Sequence, residues 1–353
     1  MNMHLLSKRF GAHLHTFINS LFARVPSENM GNMRLFKLED LPLLLAVGPT
    51  NFGRMISKLR TFQCNLKDYE WSSLATIYPR PILWLYAYLL FFWGRYCNVL
   101  PAILTHPDRS LPAEVYLRFI CQIDTYLDSF DSRSLLDHLV QHIEIQPGIQ
   151  AVKSDLYSRL DVISENATNK DYLFGLINTY LDHNLMVVRH WMASDRMTHE
   201  EIKAFKETTT GELYATWSRI LGGLYQIPEE LSKNTASIFS SFGMAIQVVD
   251  DIADAGQDYL ISSPNILLGI ASDNLYEYER LISHIGNTEY QYLHLSWVKR
   301  NMPQSYTQAI DWICSYVGEI KAITRNSSLT DELINLIATL ITIAGFESIK
   351  FKV

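Results

Sequence analysis

The sequence predicts an all-α protein: one large helical bundle with an apolar interior. Three observations carry this expectation. Apolar residues recur at a spacing near 3.6 in segment after segment. No run alternates apolar and polar residues convincingly enough to read as a strand. The composition is rich in material for an interior: 48% of the 353 residues are hydrophobic, and the aromatics comprise 7 Trp, 19 Tyr and 16 Phe. Charged residues make up 19%, below the usual share of about 25%.

The helical pattern covers residues 82–103, 112–130, 134–144, 150–164, 171–192, 199–225, 229–258, 273–285, 304–323 and 330–344. Breakers separate these segments: Thr105 to Asp108, Gln146-Pro147-Gly148, Glu165 to Asn169, Ile227-Pro228, Ser262 to Asn265, and Met302-Pro303. Ser110 reads as an N-cap, and Thr198 with Glu201 forms a capping-box signature. Gly222-Gly223 reads as a helix break. No linker divides the pattern, so residues 71–353 are expected to form one domain, with residues 1–70 as an N-terminal helical extension packed on it.

Composition also excludes several classes. A net charge of −7 and no dense basic stripe argue against nucleic-acid binding. Cys64, Cys97, Cys121 and Cys314 lie far apart, without zinc or disulfide spacing, so reduced thiols and a cytoplasmic location are expected. The apolar run Ile82–Trp93 is too short to span a bilayer and reads as a buried helix. Residues 1–27 carry Lys8, Arg9 and Arg24 with no acid, a pattern that organellar targeting shares. Leu5, Phe10, Leu14, Phe17, Ile18 and Leu21 recur at helical spacing there, which favours an ordinary amphipathic helix.

Two acidic clusters stand out because each sits in an apolar helical segment. Asp124, Asp128 and Asp131 follow i, i+4, i+7 and share one helix face. Asp250, Asp254 and Asp258 follow i, i+4, i+8, with Asp251 beside them. Like charges at this spacing destabilise a helix unless something compensates. One such cluster is accounted for equally well as a solvated face; two, about 125 residues apart, point to hard divalent cations. Facing clusters can hold several Mg²⁺ ions around one diphosphate, and three per active site are expected. These ions neutralise charge on a departing diphosphate.

The stretch from Phe242 through Gly243, Gln247, Asp250 and Asp251 to Asp254 closely resembles the second aspartate-rich motif of the trans-isoprenyl diphosphate synthases. Ser263-Pro264-Asn265 resembles the loop after that motif, Thr209-Thr210-Gly211 matches the position of the family's Lys-Thr helix, and Pro79-Arg80-Pro81 matches the end of its glycine-lysine-arginine motif. The likeness covers about residues 75–275. It implies the isoprenoid synthase type of helical bundle, with a central apolar cavity, a prenyl diphosphate substrate and a possible homodimer.

Departures from the family pattern shape the expected activity. Ile77 and Tyr78 stand where the family has a Lys and an Arg that hold the co-substrate, and Thr209 stands where it has a Lys. The first acidic motif is spread, resembling those of squalene and phytoene synthases and of some class I terpene cyclases. Losing these cations removes charge complementarity for a second diphosphate. The expected activity is therefore that of a Mg²⁺-dependent class I terpene synthase, which ionises one prenyl diphosphate and manages the carbocation inside an aromatic-lined interior. The alternatives are a prenyltransferase, elongating or head-to-head, and a non-catalytic subunit of one.

By that resemblance Asp124, Asp128 and Asp131 bind metal from one helix, and Asp250, Asp251, Asp254 and Asp258 from the other. Gln247 orients an intermediate or a water. Arg80, Arg133 and Lys206 are candidate diphosphate contacts, as is Thr210; Arg189 and Arg219 are weaker ones. Phe119, five residues before Asp124, matches a chain-length floor, and Trp217 is a candidate wall residue with Tyr126, Phe130, Tyr214, Phe239 and Phe242.

Overall fold

The computed structural model describes residues 89–128 and 147–337, except 91, 106, 164–166, 195–196, 288–292, 294, 325–328, 332 and 335. The expected extension over residues 1–70, the basic stretch 1–27, and Arg80, Phe130, Asp131 and Arg133 lie outside the described residues. Everything described is helix, turn or connecting coil, as the apolar period predicts. No described helix is long and apolar enough to cross a membrane.

Residues 89–90 and 92–96 are helical, and this stretch ends where Asn98 adopts a left-handed φ of 59°. Pro101 then opens α1 (Leu100–Thr105), so the expected segment 82–103 is broken rather than continuous. A 3₁₀ turn at Pro107–Ser110 leads into α2 (Leu111–Asp128). After these come α3 (Pro147–Ile163) and α4 (Ala167–Ala193). The capping box forms as the sequence signals: Thr198 Oγ1 accepts from the Glu201 N–H, and Glu201 accepts from the Thr198 N–H at 2.7 Å. It starts α5 (His199–Lys206).

One π-helical turn, Glu207–Gly211, joins α5 to α6 (Glu212–Leu224). Next are α7 (Glu229–Ala253), α8 (Ala255–Ile261) and α9 (Ile266–Ser272). The chain continues through α10 (Leu275–Asn287), α11 (Leu295–Asn301) and α12 (Pro303–Ile323).

The core is organised around α7, which buries Ala236, Ile238, Phe239, Phe242, Met244, Ala245, Val248 and Ile252. A helix apolar on so many sides belongs at the centre of a bundle. It packs between α6 and α12, while α6 also meets α2 and α4. The N-terminus of α12 is capped from another helix: the buried Glu277 of α10 accepts from the N–H groups of Gln304 and Ser305, each at 2.9 Å, and from Ser305 Oγ at 2.6 Å.

Gly222 and Gly223 do not break their helix; α6 runs through both. They serve close approach instead. A Cβ on Gly222 would come within 2.7 Å of Ser232 Oγ, and one on Gly223 within 2.8 Å of Leu173. A bare backbone lets α7 and α4 pack against the end of α6.

Candidate functional site

The second acidic cluster lies where α7 stops and α8 begins. The expected single helix over 229–258 is interrupted at Asp254, whose φ of −103° and ψ of 12° leave the α region. The carbonyl of Ala253, in the last turn of α7, is taken by the distant Leu293 N–H at 2.7 Å. Across this break Asp251, Asp254 and Asp258 offer carboxylate oxygens that all lie within 4.8 Å of one another. Asp250, on the neighbouring register, is exposed.

Asp251 is fully buried and held from several directions. Its Oδ1 pairs with Lys206 Nζ at 3.0 Å and accepts from Gln247 Nε2 at 2.5 Å. Its Oδ2 accepts from the Ile266 N–H at 2.7 Å, the opening turn of α9. Asn265 ties the two sides of the break together: its Nδ2 donates to the Asp251 carbonyl at 2.6 Å and to Asp258 Oδ2 at 2.8 Å. The same Asn265 is the N-cap of α9, where its Oδ1 accepts from the Leu268 N–H at 3.1 Å. Sequence reasoning assigned Asn265 no role. An Asn immediately before an apolar helical run is a readable cap signal, but its second set of bonds is tertiary.

The charges act on one another. Burial, followed by the neighbouring Asp250, Asp258 and Asp251, pushes the Asp254 carboxyl up to about 9, against a smaller lowering by Lys206. Burial alone lowers the Lys206 ammonium, but the carboxylates of Asp251, Asp258 and Asp254 outweigh it and hold it above the usual lysine range.

The segment facing this cluster is shaped by the π turn. Thr210 Oγ1 donates to Gln247 Oε1 at 2.7 Å, which fixes the amide that donates to Asp251. Tyr180 of α4 donates from its hydroxyl to the Thr209 carbonyl at 2.8 Å and accepts from Asn184 Nδ2 at 3.0 Å. A π turn displaces the backbone hydrogen-bond register, and such turns recur at functional sites. Periodicity over 199–225 gave no sign of it, because one extra residue in a turn leaves the flanking apolar spacing intact.

An aromatic column runs along α6 and α7 one to two turns before Gln247. Trp217 meets Phe239 edge-on at 5.0 Å between centroids, Phe239 meets Phe242 at 6.4 Å, and Tyr214 meets Phe242 at 6.0 Å. Phe119 is buried in the same core. Of the first acidic cluster, Asp124 and Asp128 lie on the last two turns of α2. Arg189 and Arg219 are exposed.

The residues present fit a hard divalent cation. The donor set is all carboxylate oxygen. Asp254 Oδ1 is buried with no hydrogen-bond partner among the described residues, which is costly for a carboxylate lacking a proton or a cation.

No protein-family model matches the chain, and no curated protein matches it in sequence. Solved structures do. A geranylgeranyl pyrophosphate synthase aligns with a TM-score of 0.51 and 16% identity, covering 85% of this chain and 98% of that one. The geranylgeranyl pyrophosphate synthetase of the archaeon Geoglobus acetivorans aligns at 0.44 and 13% identity, over 84% of this chain and 99% of that one. That of Pyrococcus horikoshii Ot3 aligns at 0.43 and 14%, over 83% and 92%. The chain shares the all-α fold of that geranylgeranyl pyrophosphate synthase, as the likeness at 0.51 and the helical architecture together establish.

Proposed function

We propose that this protein is an enzyme acting on prenyl diphosphates with divalent cations, and that it transfers a prenyl group. One observation carries the reading: three carboxylates converge within 4.8 Å at the break between α7 and α8, one with a buried, unpartnered oxygen. Prenyl transfer is placed ahead of the cyclisation expected from sequence because the solved structure of like fold is a geranylgeranyl pyrophosphate synthase. That step is analogy of fold, and the site must carry the chemistry.

In this reading Asp254 and Asp258 hold the cation, joined by Asp124 and Asp128 from α2. Bound Mg²⁺ supplies charge neutralisation for the departing diphosphate. Asn265 keeps Asp258 aimed at the cluster through its 2.8 Å bond. Gln247, fixed by Thr210 on one side and Asp251 on the other, presents a rigid polar group beside the aromatic column. The rings of Phe239, Phe242 and Trp217 keep water away and offer faces to an allylic cation.

A second reading, cyclisation of a single prenyl diphosphate, is favoured by position 209. A Thr stands there and its carbonyl is bound to Tyr180, so that turn presents no cation to a second diphosphate.

Product analysis with Mg²⁺ and C10–C25 prenyl diphosphates separates the readings. Longer diphosphates formed only when isopentenyl diphosphate is added are expected. Hydrocarbons or alcohols formed without it select the cyclase. No turnover under any condition overturns both.

A further inference from the structure

Asp251 has the surroundings of a carboxylate whose charge is already neutralised. Oδ1 takes the Lys206 ammonium and the Gln247 amide, and Oδ2 takes the Ile266 N–H. The two side chains of the ion pair are 12% and 1% exposed for Lys206 and Asp251, so neither is a solvated surface group. Asp254, three residues on, is the opposite case, with a buried oxygen that nothing among the described residues satisfies.

Carboxylates this close must have their charges offset, by a proton or by a cation. At Asp251 that cation is already part of the chain. A divalent ion sharing Oδ1 would stand close to an ammonium 3.0 Å away, with strong repulsion in a buried setting. Ligation through Oδ2 would require breaking the bond to the Ile266 N–H, which closes the turn into α9. Lys206 reaches Asp251 from the last turn of α5, immediately before the π turn. Three residues later, at position 209, the side chain is a neutral Thr. Of the two lysines of α5, Lys203 stands 3.8 Å from Glu207 and Lys206 meets the acidic cluster, at Asp251.

We propose that Lys206 is a resident cation that takes the place of one divalent ion at Asp251, so that Asp251 anchors the cluster and divalent ions bind on its Asp254–Asp258 side. This rests on reading the cluster as a divalent-cation site. Lys206 is then a positioning residue, and this cluster binds fewer divalent ions than it would without the lysine.

The test counts Mn²⁺ bound to the full chain by electron paramagnetic resonance, alone and with inorganic diphosphate. Lys206→Met is expected to bind one more Mn²⁺ than the wild type, and its melting temperature to rise more on adding Mn²⁺. Asp251→Asn is expected to bind as many ions as the wild type, and Asp254→Asn at least one fewer. A Lys206→Met protein that gains no ion, or an Asp251→Asn protein that loses one, overturns the proposal. If Lys206→Met does not fold, Asp251→Asn alone decides. A wild type that binds no Mn²⁺ overturns the metal reading together with this inference. Mn²⁺ binding without turnover of prenyl diphosphates overturns the proposed function and leaves this inference standing.

Discussion

Asn265 donates to Asp258 Oδ2 at 2.8 Å across the turn that follows the acidic cluster, and the same side chain caps α9. One fully buried amide thus couples the direction of a candidate ligand to the start of a helix. Asn265→Ala removes the cap and leaves the Asp251 carbonyl without this donor. A loss of about 2–3 kcal/mol is expected, from the cost of a lost cap plus that of a buried acceptor left unmade. Urea unfolding of the variant against the wild type measures it; a change under 0.5 kcal/mol, roughly the scale of a neutral surface substitution, contradicts the role.

Tyr180→Phe keeps the buried ring and removes only the hydroxyl that holds the Thr209 carbonyl. The expected stability loss is about 1–2 kcal/mol, the range for one buried bond. Because that carbonyl sits in the π turn carrying Thr210, turnover of prenyl diphosphates should fall further than stability alone explains. Thermal melting and steady-state rates on one preparation separate the two effects.

Binding of Mg²⁺ should tighten as pH rises towards about 9, because Asp254 must release a proton to act as a ligand. The sign for metal-free stability is the reverse. The folded chain retains a proton up to about 9 that the unfolded chain releases near 3.8. More protons bound when folded means this group's contribution to stability falls as pH rises through that window. Titration calorimetry in buffers of different ionisation enthalpy should register proton release on binding below pH 9, and Asp254→Asn should abolish that release.

Glu277→Ala should destabilise the protein by about 3 kcal/mol, since three donors at the start of α12 lose one buried charged acceptor. Catalytic parameters at low temperature should be unchanged, because Glu277 joins α10 to α12 and makes none of the contacts that hold the acidic cluster. A shift in denaturant midpoint with unaltered KM is the expected pair of results.

Much of the fold is legible in the sequence. The capping box at Thr198 and Glu201 is local, so four residues suffice to predict it, and the apolar period marks the long helices. Three features were not legible. The π turn leaves the flanking period unchanged. Asp254 is a weak helix former, yet Asp also occurs within helices, and the break there coincides with the Leu293 N–H reaching the Ala253 carbonyl from 40 positions away. Gly222 and Gly223 look alike whether they end a helix or admit a neighbour; only Ser232 and Leu173 distinguish the cases.

For the site, the sequence alone determined that acids recur at helical spacing in an apolar segment, since spacing is a property of the chain. Spacing set Asp250 in line with Asp254 and Asp258 and left Asp251 beside them, whereas the structure gathers Asp251, Asp254 and Asp258 within 4.8 Å. Adjacent residues on a helix point about 100° apart, and which one faces inward depends on what packs against that face. Here α5 supplies Lys206 and the start of α9 supplies the Ile266 N–H, so Asp251 is turned in and Asp250 is left exposed. Lys206 was expected against a diphosphate; its pairing with Asp251 was not legible, because the two stand 45 positions apart and only the packed bundle brings the charges to 3.0 Å.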